Sequence, residues 1–153
     1  CESPHDQGRW LRVMHDCNDD RIADLLAYAE QVIPLAQIAT EPADVLGLGE
    51  RYEVHNCLGS ILQGLGRFPG YGTTLIWAGL RSPVIGNRNG ALRVLDAWGK
   101  SHWPEGMEEF LVQAMAEEQD QSVYEYMRKV IDGVPLGESR YHPSYFDFLH
   151  GRK

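Results

Sequence analysis

Two pairs of soft metal-ligand types stand out in the chain, His15-x-Cys17 and His55-x-Cys57, with Cys1 and His5 as further donors. Four such groups converging tetrahedrally would hold zinc. Residues two apart on a helix point to different sides, however, so neither pair chelates by itself, and we expect no metal and no cofactor. His55 and Cys57 also form the best candidate pair for covalent chemistry, imidazole as base and thiolate as nucleophile. That chemistry needs an accessible thiol in electropositive surroundings. Cys57 instead directly precedes the apolar positions Leu58, Ile61 and Leu62, where a thiol is expected to be buried and inert. No nucleophile elbow, phosphate loop or His-Glu-x-x-His pair is present. The run Asp16-Cys-Asn-Asp-Asp20 alternates oxygen ligands as a calcium loop does, but Arg21 replaces the required glycine and Ala27 the required glutamate. Asn18 or Asp19 is better read as the cap of the helix that follows.

The elements that would position these residues are legible as a repeat. Val54 to Gly66 is echoed 33 residues later by Asn87 to Gly99. Apolar positions fall at i, i+3, i+4 and i+7 in both: Leu58, Ile61, Leu62, Leu65, and Ala91, Val94, Leu95, Trp98. Each copy meets a glycine suited to a left-handed helix end, then an aromatic-proline pair, Phe68-Pro69 or Trp103-Pro104. Second helices begin near Thr73 and Glu105, and small Gly79 and Ala114 suit close packing across a hairpin. Upstream, the spacing predicts a helix over 21–33 with Leu25, Tyr28, Ala29 and Val32 inward, ended by Pro34. A short helix over 34–39 and a loose connection over 40–50 follow. Downstream, Val123, Tyr126, Met127 and Val130 mark another helix, with Ser122 as its N-cap.

The clearest units are 54–82 and 87–116 within one domain of 1–153. The patch at Trp10, Leu11, Val13 and Met14 belongs to a capping segment, 1–20. The aromatic tail, 134–153, reads as a second cap folding back over the last helix pair, because its five large apolar side chains would otherwise lie in water.

At Ser82-Pro-Val-Ile-Gly-Asn-Arg-Asn-Gly-Ala-Leu-Arg-Val-Leu-Asp-Ala-Trp98 the chain resembles the second helix of a HEAT repeat. That pattern has a proline turn, an Arg at the helix start, a small residue three on and a Leu four after that, here Pro83, Arg88, Ala91 and Leu95. The earlier copy departs from it with His55 and Leu58 but keeps Leu62. The resemblance covers about 50–133 and is of the type found in many uncharacterised bacterial proteins. It implies an all-α fold, a HEAT-like α-α superhelix (solenoid) of about three to four antiparallel helix pairs with a concave face. Similar repeats occur in nuclear transport scaffolds, phycobilin lyases and alkylated-base DNA glycosylases, so the fold leaves function open. The glycosylase reading lacks a basic cleft around Asp96 and Trp98.

Composition narrows the classes. Hydrophobic residues at 43% and charged residues at 24% suit a globular chain. The net charge of −8 disfavours nucleic acid and favours neutral or basic partners, although a local basic patch would override that average. No apolar run reaches the roughly 18 to 20 residues that span a bilayer. Three cysteines without a framework pattern suit a reducing compartment, so we expect a cytoplasmic location. Cys1 suggests trimming of a longer chain or, alternatively, a lipidated N-terminal cysteine.

A polar stripe recurs at helix starts and turns: His55, Asn56, Arg81, Asn87, Arg88 and Asn89. Such residues commonly hold neighbouring turns in register. Stacking would also line them along one face. The expectation is therefore a non-catalytic scaffold module binding a protein or peptide partner through Arg81, Arg88, Asn89, His55 and Asn56, with Trp77 beside Arg81 as an anchor. The alternative is a small lyase or hydrolase using the groove with His55 and Cys57. An acidic decoy or immunity-type protein is a third class that the charge permits.

Overall fold

The structure, a computed structural model, describes residues 6–134. Cys1, His5 and the aromatic tail lie outside the described residues. Within them the regular structure is helical: α1 (Gln7–Asp16), α2 (Ile22–Val32), α3 (Leu35–Ile38), α4 (Glu53–Leu65), α5 (Thr73–Leu80), α6 (Ile85–Trp98), α7 (Met107–Glu117) and α8 (Gln121–Asp132). Short 3-10 turns at Glu50–Tyr52 and Lys100–His102 lead into α4 and out of α6. None of these helices is long and apolar enough to cross a membrane.

Helices α1, α4, α6 and α8 form a row in which each packs on the next. Hydrogen bonds give the direction of the α4–α6 pair. Asn87 Nδ2, near the start of α6, donates to the His55 carbonyl near the start of α4 (2.9 Å), and Trp98 Nε1, at the end of α6, donates to the Leu65 carbonyl at the end of α4 (3.1 Å). These two helices therefore run the same way, and α5 returns the chain between them. Helix α5 packs more extensively on α6 than on α4, and α7 on α8. The tight hairpins are thus α5–α6 and α7–α8, which makes α6 the second member of its pair.

The periodic faces account for the core. Leu58, Ile61, Leu62 and Leu65 of α4, Ala91, Val94, Leu95 and Trp98 of α6, and Val123, Tyr126, Met127 and Val130 of α8 are all buried in one cluster. Helix α2 keeps most of the expected face, with Ala29 buried and Leu25 and Val32 packed against the core. Ile22, Leu26 and Ala29 point inward, while Tyr28 is exposed and lies against Trp10 with ring centroids 5.9 Å apart. The apolar patch of the first segment is a full helix, α1, with Trp10 and Met14 buried and Asp6 accepting from the Gly8 and Arg9 amides at its start. Pro34 separates α2 from α3 as its missing N–H requires.

Several end signals act differently from their sequence reading. Gly66 is right-handed (φ −60°), not left-handed. An added Cβ there would lie 3.1 Å from the Ala97 Cβ, so its small size serves the approach of α4 to α6. Gly99 does take positive φ, +82°. The N-cap of α8 is Asp120 rather than Ser122. Its Oδ1 accepts from the Ser122 and Val123 amides (3.0 Å each) and from the Ser122 hydroxyl (2.6 Å). Asn18 performs the expected capping turn before α2, its Oδ1 accepting from the Asp20 and Arg21 amides.

The 39–49 connection is irregular but tied down. Val45 donates to the Pro83 carbonyl (3.2 Å) and accepts from the Ile85 amide (2.9 Å), forming an isolated parallel bridge between Val45 and Val84.

Candidate functional site

The polar stripe resolves into residues with separate roles. Arg88, in the first turn of α6, is 1% exposed, and so is the side chain of Glu118. Its Nε and one terminal nitrogen form a two-point pair with Glu118, at 3.0 and 2.7 Å. The other terminal nitrogen donates to the carbonyls of Ala43 (2.8 Å) and Ser82 (2.9 Å). One guanidinium therefore ties together the 39–49 connection, the α5–α6 turn and the α7–α8 turn. Glu118 also accepts from the Asp120 amide (3.1 Å). The Asp120 carboxyl is held below its ordinary range: burial pushes it up, but the Ser122 hydroxyl, the Val123 and Ser122 amides and the charge of Arg88 together outweigh that. With its nitrogens engaged and its surface covered, Arg88 stands away from any partner-facing surface.

The other stripe residues do not converge with it. Arg81 is exposed at the end of α5. Trp77 is half-buried and packs edge-on against Phe110 of α7 at 4.9 Å, so it joins α5 to α7. Asn89 is half-buried with its Oδ1 shielded and unpartnered among the described residues. His55 lies against Tyr52 at 5.3 Å, and burial lowers its pKa. Asn56 donates to the Gly47 carbonyl (3.0 Å) and is the one residue of the expected binding set that also lines a large groove.

The thiol chemistry finds unfavourable surroundings. Cys57 is fully buried, and its pKa is pushed up to about 11 by burial first and then by the negative charges of Glu53 and Asp6. A nucleophilic thiolate needs the reverse, exposure and nearby positive charge. Among the described residues no three His, Cys, Asp or Glu side chains gather as a metal would require.

An open groove of about 810 Å³ lies between α4 and α6. Its floor is nearly bare: Gly59 and Ser60 come from α4, and Gly86, Gly90 and Ala97 from α6. Two of these glycines differ in their reasons. A Cβ on Gly59 would lie 2.6 Å from Asn87 Oδ1, so packing of α4 on α6 demands glycine there. A Cβ on Gly90 would make only ordinary contact, 3.5 Å from Leu62 Cβ, and on Gly86 it would meet nothing within 4 Å. Over the groove stands the lip Leu46-Gly47-Leu48, with both leucines in the open, at 72% and 76% exposure. The lip is held by the Asn56 bond to Gly47 and by the Val45 bridge. Gly47 takes φ +79° with the Val84 side chain 3.0 Å from where a Cβ would be, so only glycine fits this crossing.

A second cleft, of about 610 Å³, lies between α1 and α4 and shares Gln63 with the first. Leu11, Arg12 and His15 of α1 face Gly64 and Arg67 across it. Arg67 is positioned by α1 itself, one terminal nitrogen donating to the Met14 carbonyl (2.6 Å) and reaching those of His15 and Cys17 (3.4 Å each). These carbonyls lie at the C-terminal end of α1, where positive charge is favoured.

The sequence reading passed over Leu46, Leu48, Gly90, Arg12, Arg67 and Arg93. The available signals were leucines on either side of Gly47, and glycines inside otherwise helical runs. No family model matches the chain, and neither the curated proteins nor the solved structures contain a significant match.

Proposed function

We propose that this chain is a non-catalytic binding module, a HEAT-like solenoid whose α4–α6 groove receives a peptide segment of a protein partner. The row α1, α4, α6, α8, in which α4 and α6 run the same way, supports the solenoid reading, and the repeat spacing of 33 residues agrees with it.

The observation that carries the binding reading is the leucine lip over a glycine floor. Leu46 and Leu48 are exposed although their backbone is strapped in place. Burying a leucine contributes roughly 1.5–3 kcal/mol, which the isolated chain forgoes twice here and a partner would recover. A floor rich in glycine and other small residues lets a ligand backbone approach the helices closely, while Asn56 and Gln63 supply hydrogen-bonding groups at its edge.

Selection of displayed random 12-residue peptides on the immobilised protein tests this, with Gly90→Leu as the counter-screen. A leucine at position 90 grows into the open groove and is accommodated by α6, which circular dichroism verifies. Peptides that bind the native protein and are lost on Gly90→Leu support the reading. Enrichment that survives both Gly90→Leu and Leu46→Ser/Leu48→Ser, or no enrichment at all, overturns it.

A further inference from the structure

The two clefts carry a charge pattern opposite to that of the chain. Asp and Glu outnumber Lys and Arg by 22 to 14, yet among the described residues no carboxylate lines either cleft. The ionisable side chains that do are Arg93 in the α4–α6 groove and Arg12, His15 and Arg67 in the α1–α4 cleft. None forms an ion pair among the described residues. Arg93 has the ring of Tyr126 at 6.0 Å, and Arg67 spends one terminal nitrogen on the α1 carbonyls while its guanidinium lies over the Phe68 ring at 4.7 Å. Arg12 and His15 are exposed side chains of α1, one turn apart. Gln63 belongs to both clefts, and the neighbours Gln7 and Gly8 line one each, so the two form a continuous channel across α1, α4 and α6.

We infer that the channel takes an acidic, leucine-rich or similarly apolar linear peptide, its bulky side chains on the Leu46–Leu48 lip and its carboxylates toward Arg12, Arg67 and Arg93. This rests on the peptide-groove reading above and replaces its expected neutral or basic partner with one of opposite sign. The global charge of −8 sets long-range repulsion, but the ionisable side chains that line the channel itself are cationic, and groups in direct contact with a ligand are screened least by salt. Polyphosphate fits less well, because the cations are few, are spread over two clefts and are interleaved with apolar lips, and the acidic remainder of the chain would flank a long polyanion.

The test uses three labelled 12-residue peptides with leucine at the same four positions and Glu, Ser or Lys at the others, together with oligo-dT of equal length. Fluorescence anisotropy is read at 50 mM and 500 mM NaCl. The Glu peptide is expected to bind about tenfold more tightly than the Lys peptide at low salt, since several exposed ion pairs, each weak, act together. The preference shrinks at high salt and is lost in Arg12→Ser/Arg93→Ser, two exposed positions whose replacement leaves the helices intact by circular dichroism. Equal binding of all three peptides, abolished by Gly90→Leu, leaves the groove reading standing and overturns this inference. Binding of none overturns both. Oligo-dT binding more tightly than the Glu peptide overturns the inference in favour of a phosphate ligand.

Discussion

Replacing Glu118 by alanine is the sharpest probe of how this fold is held. The substitution leaves the Arg88 guanidinium 1% exposed, with its Nε and one terminal nitrogen unpaired. Breaking a buried pair from one side costs about 3–5 kcal/mol, because the surviving charge keeps its desolvation penalty without its partner. The Ala43 and Ser82 carbonyls still accept from the other terminal nitrogen, which places the expected loss near the lower end, about 3 kcal/mol. Against a typical domain stability of about 5–15 kcal/mol that is a large fraction. Arg88→Ala should cost a similar amount. Arg88→Met/Glu118→Met should cost clearly less than the two single losses added, since the apolar pair removes both charges. Arg81→Ala, at an exposed site, should change stability by no more than about 0.5 kcal/mol. Urea unfolding followed by far-UV circular dichroism measures all four. A loss under about 1 kcal/mol for Glu118→Ala would show that the pair behaves as a solvent-exposed one, and the account of Arg88 as the tie between three connections would be refuted. Parity between Arg81→Ala and Arg88→Ala would refute it equally.

Gly90→Ala should stabilise the protein by about 1 kcal/mol through helix propensity, raising Tm by a few degrees, because its Cβ makes only ordinary contact; scanning calorimetry decides. Gly59→Ala should destabilise by about 1–3 kcal/mol, its Cβ falling 2.6 Å from Asn87 Oδ1. Cys57, its thiol raised to about 11, binds a proton in the folded state that the unfolded state releases first. Its contribution is therefore full below the unfolded value, about 9, and is lost as pH rises toward 11; chemical denaturation across that window should show an alkaline decline that is shallower in Cys57→Ala. Asp120, lowered in the folded state, works in the other direction: its contribution is full above about pH 4 and is lost as the solution is acidified through the folded value. Asp120→Ala should remove about 1 kcal/mol at pH 7 through the lost cap and flatten the acid side of the stability profile.

The repeat, the helix faces of α4, α6 and α8 and the break at Pro34 were legible because each is set by spacing along one helix. A buried side every third or fourth residue depends only on local geometry and on the removal of apolar groups from water. The same local logic put Leu25, Ala29 and Val32 of α2 against the core but misplaced Tyr28, which has a partner in Trp10 on another helix, and left out Ile22 and Leu26. It also placed Ser122 as a cap where Asp120 two residues earlier has the better acceptor.

The composition of the polar stripe was legible, but not what each member does. Arg88 and Arg81 are the same residue type seven positions apart, and one is the most enclosed ion-pair partner in the fold while the other faces water. The sequence by itself determined an all-helical chain, the 33-residue periodicity and the positions that enter the core, because these follow from contacts within a turn or two. Only the tertiary structure decided that Glu118 lies opposite Arg88, that α5 pairs with α6, and that Arg12, Arg67 and Arg93 share a channel free of carboxylates among the described residues. The ion pair and the channel join residues 26 to 81 apart in the chain. Their pairing is chosen by how the packed helices fit against one another, and no local propensity carries that information.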